Sequence, residues 1–234
     1  MDEKPKRSWF RCTLRTWFVA MTALCLWLGW WSQSAMRQKR AVEQLRAMQV
    51  VYHYEIAKGT PNSLSQRIER LLGVDFVRNV EYVRQERTLT HAGRTEFLHV
   101  LGDLPRLRVV WLFARPCATD DDLRILADYK QLTSLNLVAD DVSDFGITHL
   151  STLSELVTLR LVRPHISADG IKGIGEMANL KRLALCEVQL NDESLWGLCS
   201  LKKLKALRLQ LVQVDMAWRE RLKHALPDCQ ISYD

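Results

Sequence analysis

The sequence predicts an α/β solenoid. Short parallel strands line a concave face, short helices cover a convex face, and a transmembrane helix and an α/β cap precede them. Three observations carry this. The phrase Leu-x-x-Leu-x-Leu returns at a fixed spacing of 24 residues. A stretch of 21 residues near the N-terminus, Thr16 to Met36, holds no charge. The chain of 234 residues is 47% apolar and 26% charged, with 10 Gly and 6 Pro, which excludes wholesale disorder and collagen-like or Pro-rich chains.

The elements follow in order. Residues 1–15 are a basic tail. Residues 16–36 read as an anchor helix, with Trp17, Phe18, Leu24, Leu26, Trp27, Leu28, Trp30 and Trp31 as its lipid-facing side chains. About 20 apolar residues cross a hydrocarbon core of ~30 Å, and tryptophans suit both interfaces. A cleaved signal peptide is the competing reading; bulky Trp30 and Trp31 crowd its cleavage site. Five basic residues precede the span (Lys4, Lys6, Arg7, Arg11, Arg15) and four follow it (Arg37, Lys39, Arg40, Arg46). That slight excess favours a cytoplasmic N-terminus and a repeat domain outside the cytoplasm. Residues 37–49 read as a juxtamembrane helix, or as a continuation of the anchor; Ala35, Val42, Leu45 and Met48 are the apolar positions of the stretch from Ser34 to Gln49.

Net charge is +6, which invites a nucleic-acid reading. Residues 1–46 carry nine basic and three acidic residues; residues 47–234 carry 24 of each. The excess flanks the apolar segment, so the repeat domain lacks the general electrostatic term that nucleic acid needs.

Residues 50–106 read as the N-terminal cap and a degenerate first repeat. Val50–Ile56 has strand character, 59–62 is a turn, and Ser63–Leu72 has helical spacing. A degenerate phrase lies at Val77/Val80/Tyr82, and Thr90 precedes a helix-like stretch. Residues 107–234 hold the repeats. A weaker copy starts at Leu107, and perfect copies start at Leu132, Leu156, Leu180 and Leu204. Ten residues after each start stands an apolar residue: Cys117, Val142, Ile166, Leu190 and Val214. Ser143, Ser167, Asn191 and Asp215 follow, residue types that cap helix N-termini. Apolar pairs three apart then mark short helices, such as Ile147/Leu150 and Ile171/Ile174. Each unit is strand, turn and helix, and only stacking buries its leucines. Met216–Leu226 reads as a closing helix, Pro227 as its stop, and Gln230–Ser232 as a last strand.

These units resemble leucine-rich repeats. Val142-Ser143-Asp144-Phe145-Gly146-Ile147 and Ile166-Ser167-Ala168-Asp169-Gly170-Ile171 resemble the Val-Thr-Asp-x-Gly-Leu phrase of the ribonuclease-inhibitor-like and cysteine-containing subclass. The opening Arg11-Cys12-Thr13-Leu14-Arg15-Thr16, the segment Val51–Glu55 and the ending Ala225–Ile231 resemble membrane-anchored leucine-rich-repeat proteins of planctomycete bacteria. The resemblance implies an interaction module without assigned chemistry. One departure stands out. Eight residues after each start, where these repeats often place Asn, Cys or Thr to serve the turn, stand Arg115, Asp140, Pro164, Val188 and Val212, so the turn backbone needs other partners.

Catalysis is not expected. The six histidines form no metal-spaced pair, and no nucleophile elbow, phosphate loop or Cys-x-x-Cys is present. Asp120-Asp121-Asp122 reads as a helix start, where carboxylates meet the positive dipole end, rather than a cation site. Cys117 reads as core; one bridge among Cys117, Cys186, Cys199 and Cys229 stays open for an exported domain. No cofactor or metal is implied.

The expected function is binding of a protein partner, with lipid met through the N-terminal helix and no nucleic acid. In Leu-x-x-Leu-x-Leu the leucines point inward, so alternate residues face the concave side. Trp111, Phe113, Asn136, Val138, Arg160, Val162 and Arg208 are the candidate binding residues, and Trp and Arg are enriched at hot spots. The row Phe113-Val138-Val162-Cys186 is apolar, which sideways packing along the solenoid also explains. An envelope scaffold without a specific protein ligand is the alternative, and an enzyme the remote one.

Overall fold

The computed structural model describes residues 14–54, 74, 79–177 and 179–233. The basic tail up to residue 13, the turn at 59–62, the helix expected at Ser63–Leu72 and Val77 lie outside the described residues.

Helix α1 (Leu14–Ala47) runs unbroken for 34 residues. No Gly or Pro follows Gly29 within it, so nothing interrupts the backbone ladder between the anchor and juxtamembrane segments. Its two halves differ. Ala35, Gln38, Ala41, Val42 and Leu45 form one buried face, which closes the open end of the repeat stack beside helix α2 (His91–Leu101). Residues 16–31 are exposed.

No helix among the described residues is long and apolar enough to cross a membrane, so the single-pass anchor read over residues 16–36 is not supported. The reason is dilution. The strongly apolar run, Phe18–Leu28, has eleven residues. It rises about 16 Å, roughly half of a ~30 Å core. Gly29, Ser32, Gln33 and Ser34 then weaken the remainder.

Among the described residues, eight strands form one sheet in chain order. They are β1 (Val51–Tyr54), β2 (Val80–Gln85), β3 (Val109–Leu112), β4 (Ser134–Val138), β5 (Thr158–Val162), β6 (Arg182–Cys186), β7 (Ala206–Gln210) and β8 (Gln230–Tyr233). β1 is antiparallel to β2, and every later pair is parallel. Between the strands come α3 (Asp120–Leu126), α4 (Asp144–Leu150), α5 (Ala168–Gly175), α6 (Asp192–Cys199) and α7 (Met216–Ala225).

Constant register explains the leucines. Val110, Leu135, Leu159, Leu183, Leu207 and Ile231 pair across successive strands, as do Leu112, Leu137, Leu161, Leu185 and Leu209. From Val110 to Leu209 these side chains are 2% exposed or less. Each contributes about 1.5–3 kcal/mol of burial, available only because a neighbouring unit covers it.

The helix starts form a second column. Thr119, Ser143, Ser167, Asn191 and Asp215 cap α3 to α7, each side chain accepting a backbone N–H. Ser143 donates its amide to Asp120 Oδ1 at 2.9 Å and its hydroxyl to Asp120 Oδ2 at 2.6 Å. Ser167 treats Asp144 in the same way at 2.8 and 2.6 Å. Space for these carboxylates comes from glycine: a Cβ on Gly146 would stand 2.2 Å from Asp120 Oδ1, and one on Gly170 2.2 Å from Asp144 Oδ1. This is the physical content of the Asp-x-Gly phrase. Where Ala168 replaces the Asp, the position 26 residues on is Ser194 rather than Gly. In the last pair, Trp218 Nε1 donates to Asp192 Oδ1 at 2.9 Å.

The turns do find other partners. Arg163, Glu187 and Leu211, 24 residues apart, take φ of 55°, 53° and 52°. This left-handed geometry costs a residue with a Cβ about 1–2 kcal/mol. It lets the amides of Arg163 and Glu187 donate to the carbonyls of Cys186 and Gln210, each at 2.8 Å. Val188 is buried in the core and Val212 packs against it, so the slot that often holds a polar residue adds apolar contact here.

Candidate functional site

The outward positions of the strands fall into register across the concave face. Tyr82, Val109, Ser134, Thr158, Arg182 and Ala206 form one row. Arg84, Trp111, Asn136, Arg160, Ala184 and Arg208 form the central row. Val138, Val162, Cys186 and Gln210 form the third.

The N-terminal end of this face is aromatic. Trp111 meets Tyr82 edge to face at 5.1 Å and Phe113 at 5.6 Å, and His53 lies 5.2 Å from Tyr82. The Arg84 guanidinium stands 5.2 Å over the Trp111 ring and 5.8 Å over Phe113, and pairs with Glu86 at 3.0 Å. Burial pushes the Tyr82 phenol above its ordinary range, partly offset by the positive charge of Arg84. Trp111 Nε1 is buried and has no hydrogen-bond partner among the described residues.

The middle is polar. Arg160 Nη2 reaches over the row position of the small Ala184 to donate to Gln210 Oε1 at 3.0 Å. Cys186 Sγ lies 3.2 Å from the same oxygen. Arg160 Nε is buried without a hydrogen-bond partner. Asn136, expected to face solvent, is only 7% exposed, because Trp111 and Arg160 flank it in register. Val138 and Val162 are half-buried side by side, with Cys186 next in the row, so this row does pack sideways. Arg208 is exposed on β7.

Sequence reading had not assigned Tyr82, Arg84 and His53 to this face. A bulge at His53/Tyr54 disturbs the pairing of β1 with β2. On β2 it is Val80, Val83 and Gln85 that face inward. Strict alternation therefore fails where the repeat is degenerate. Counting back from Trp111 by the repeat spacing of 24 or 25 residues reaches Arg87 or Glu86, so the spacing carried no signal for Arg84.

The other candidates resolve into structure. Asp120, Asp121 and Asp122 point to different partners: Ser143, Arg124 at 3.5 Å, and both the Thr119 amide and the Arg94 guanidinium. Among the described residues, no three His, Cys, Asp or Glu side chains could hold a metal ion. Asp140 pairs with Arg163 at 2.8 Å and accepts from Cys117. The described cysteines are free thiols. Burial pushes the thiols of Cys117, Cys199 and Cys229 up, away from the reactive thiolate.

No protein-family model matches the sequence, and no curated protein matches it. Among solved structures, an internalin from Listeria monocytogenes is similar at a TM-score of 0.41 and 14% identity. The match covers 74% of this chain and 63% of the internalin. The chain thus spans less than two thirds of the internalin's length. The leucine-rich-repeat-like fold stands on the constant parallel register and the helix that follows each strand of the repeats.

Proposed function

We propose that this chain is a non-catalytic leucine-rich-repeat module that receives a protein partner on its concave strand face. One observation carries the reading. The polar groups at the convex helix starts are bonded by the adjacent repeat, whereas Trp111 Nε1 and Arg160 Nε on the concave face have no partner among the described residues. Buried donors left unpaired cost about 1–3 kcal/mol each, a cost that a partner removes by displacing the side chains that cover them and supplying acceptors. Trp and Arg are also the residue types that anchor interfaces.

The test is partner recovery after crosslinking in the producing cell. Replacing Trp111, Phe113 and Arg160 with Ala should abolish recovery of a discrete adduct while the circular dichroism spectrum is unchanged. Undiminished recovery removes this face from the reading.

The phrase Val142–Ile147 and its looser copy Ile166–Ile171 support placing the repeats in the ribonuclease-inhibitor-like and cysteine-containing subclass. We further propose that lipid covers the exposed apolar side chains of α1 between Trp17 and Trp31. The charge count around them favours a repeat domain outside the cytoplasm. Alkaline carbonate washing should leave the full chain with the membranes. Release into the wash would remove the lipid contact, and protease access to a C-terminal tag would decide the side.

A further inference from the structure

We infer that the segment received by the concave face is acidic and extended, about seven residues long, with an apolar side chain at the end that meets Trp111. The inference rests on the concave face being the binding face, and it names the partner's chemistry.

Charge carries the first step. Arg160, Arg182 and Arg208 stand outward on three consecutive strands, β5, β6 and β7. Adjacent strands lie about 4.8 Å apart, so the three attachment points fall within about 10 Å. No outward position of β3 to β8 is Asp or Glu. The side-chain acceptors of two of these arginines are neutral: Gln210 for Arg160, and Thr158 for Arg182 at 2.9 Å. Residues 47–234 as a whole are charge-balanced. Among the described residues the outward charges of these strands are therefore all positive, within a domain whose total charge is balanced. Arg160 and Arg182, with these neutral acceptors, repel at this distance unless a counter-charge sits among them, and carboxylates fit planar guanidinium donors in pairs.

Shape carries the second step. Five-residue strands present three outward positions, about 13 Å of width. From Arg84 on β2 to Arg208 on β7 the strip runs five strand spacings, about 24 Å. That is the footprint of one extended chain of about seven residues at 3.3 Å each, and it is narrow for a folded domain. The aromatic end, where Trp111 and Phe113 stand under Arg84, takes an apolar residue.

The probe is a fluorescein-labelled octapeptide of one leucine followed by alternating Glu and Asp. It is read by anisotropy against the full chain in detergent, beside its Gln/Asn isostere and an oligothymidylate. The acidic peptide should bind, and more weakly as salt rises. The variant Arg160→Gln/Arg182→Gln/Arg208→Gln should weaken it by at least about tenfold. The variant Arg124→Gln/Lys172→Gln/Lys223→Gln, with the same charge change on the convex side, should leave it within about twofold. Failure of the acidic peptide to bind, equal loss in both variants, or tighter binding of the oligothymidylate overturns the inference. If the neutral isostere binds equally well and Trp111→Ala abolishes it, the acidic inference falls and the concave-face reading stands. If no concave substitution changes any binding, both fall.

Discussion

The helix starts and the strand rows of this solenoid are written by the same 24-residue period. The helix starts bond their carboxylates to the next unit. Buried polar atoms without a hydrogen-bond partner among the described residues occur on both sides, at Arg94 and His149 on the helices and at Trp111 and Arg160 on the strands. At the convex helix starts, each carboxylate is used by the next unit: Asp120 by Ser143, Asp144 by Ser167, Asp192 by Trp218. On the concave face the period places side chains in register, yet Trp111 Nε1 and Arg160 Nε stay unpaired among the described residues. Repetition that is satisfied sideways is architecture. Repetition that brings unlike groups together and leaves donors open is where a partner fits.

The largest effect should come from the buried Arg94–Asp122 pair between α2 and α3. Arg94 is 2% exposed, and Asp122 is its carboxylate partner at 3.5 Å. Gln85, which stands in the leucine column of β2, accepts from Arg94 Nη1 at 2.7 Å. Burial lowers the Arg94 pKa, and the Asp122 charge opposes that shift. Asp122→Ala leaves the guanidinium uncompensated and should cost about 3–5 kcal/mol in urea unfolding. A loss below about 1 kcal/mol would show that solvent reaches Arg94.

Next comes the Asp–Gly contact. Gly146→Ala drives a methyl group into Asp120 and should cost about 1–3 kcal/mol. In the background Asp120→Ala the same change should cost much less, and that coupling is the readout. The converse test is Ala168→Asp, which should destabilise alone and recover with Ser194→Gly. Additive losses in both cycles would break the account of the phrase.

A smaller effect concerns pH. Tyr129 donates to the Leu98 carbonyl at 2.6 Å, and burial pushes its phenol up to about 12. The unfolded phenol ionises near pH 10. A folded pKa above the unfolded one gives stability that is complete below pH 10 and declines as pH rises toward 12. Tyr129→Phe should flatten that alkaline loss in denaturant titrations. An unchanged slope would assign it to other groups.

Much of this was legible beforehand because repetition multiplies a weak local signal. The strands, the inward leucines and the caps at Ser143, Ser167, Asn191 and Asp215 follow from spacing alone. The misses fall where the period fails. Tyr82 and Arg84 sit on a strand whose alternation is broken, so their place beside Trp111 was hidden. Gln85 takes a leucine's slot, which only its bond to Arg94 explains. Asn136 reads as exposed by alternation, but two large neighbours cover it. The apolar run of α1 suggests a span by its lack of charge, and no helix among the described residues is long and apolar enough to support one.

The central claim is that the concave face, and not the convex one, meets the partner. A photo-crosslinking residue placed at Ala206 on β7 samples the first face, and one at the exposed Phe145 on α4 samples the second. After illumination of producing cells, the Ala206 variant should give a discrete adduct and the Phe145 variant none. An adduct from Phe145 alone would contradict the account.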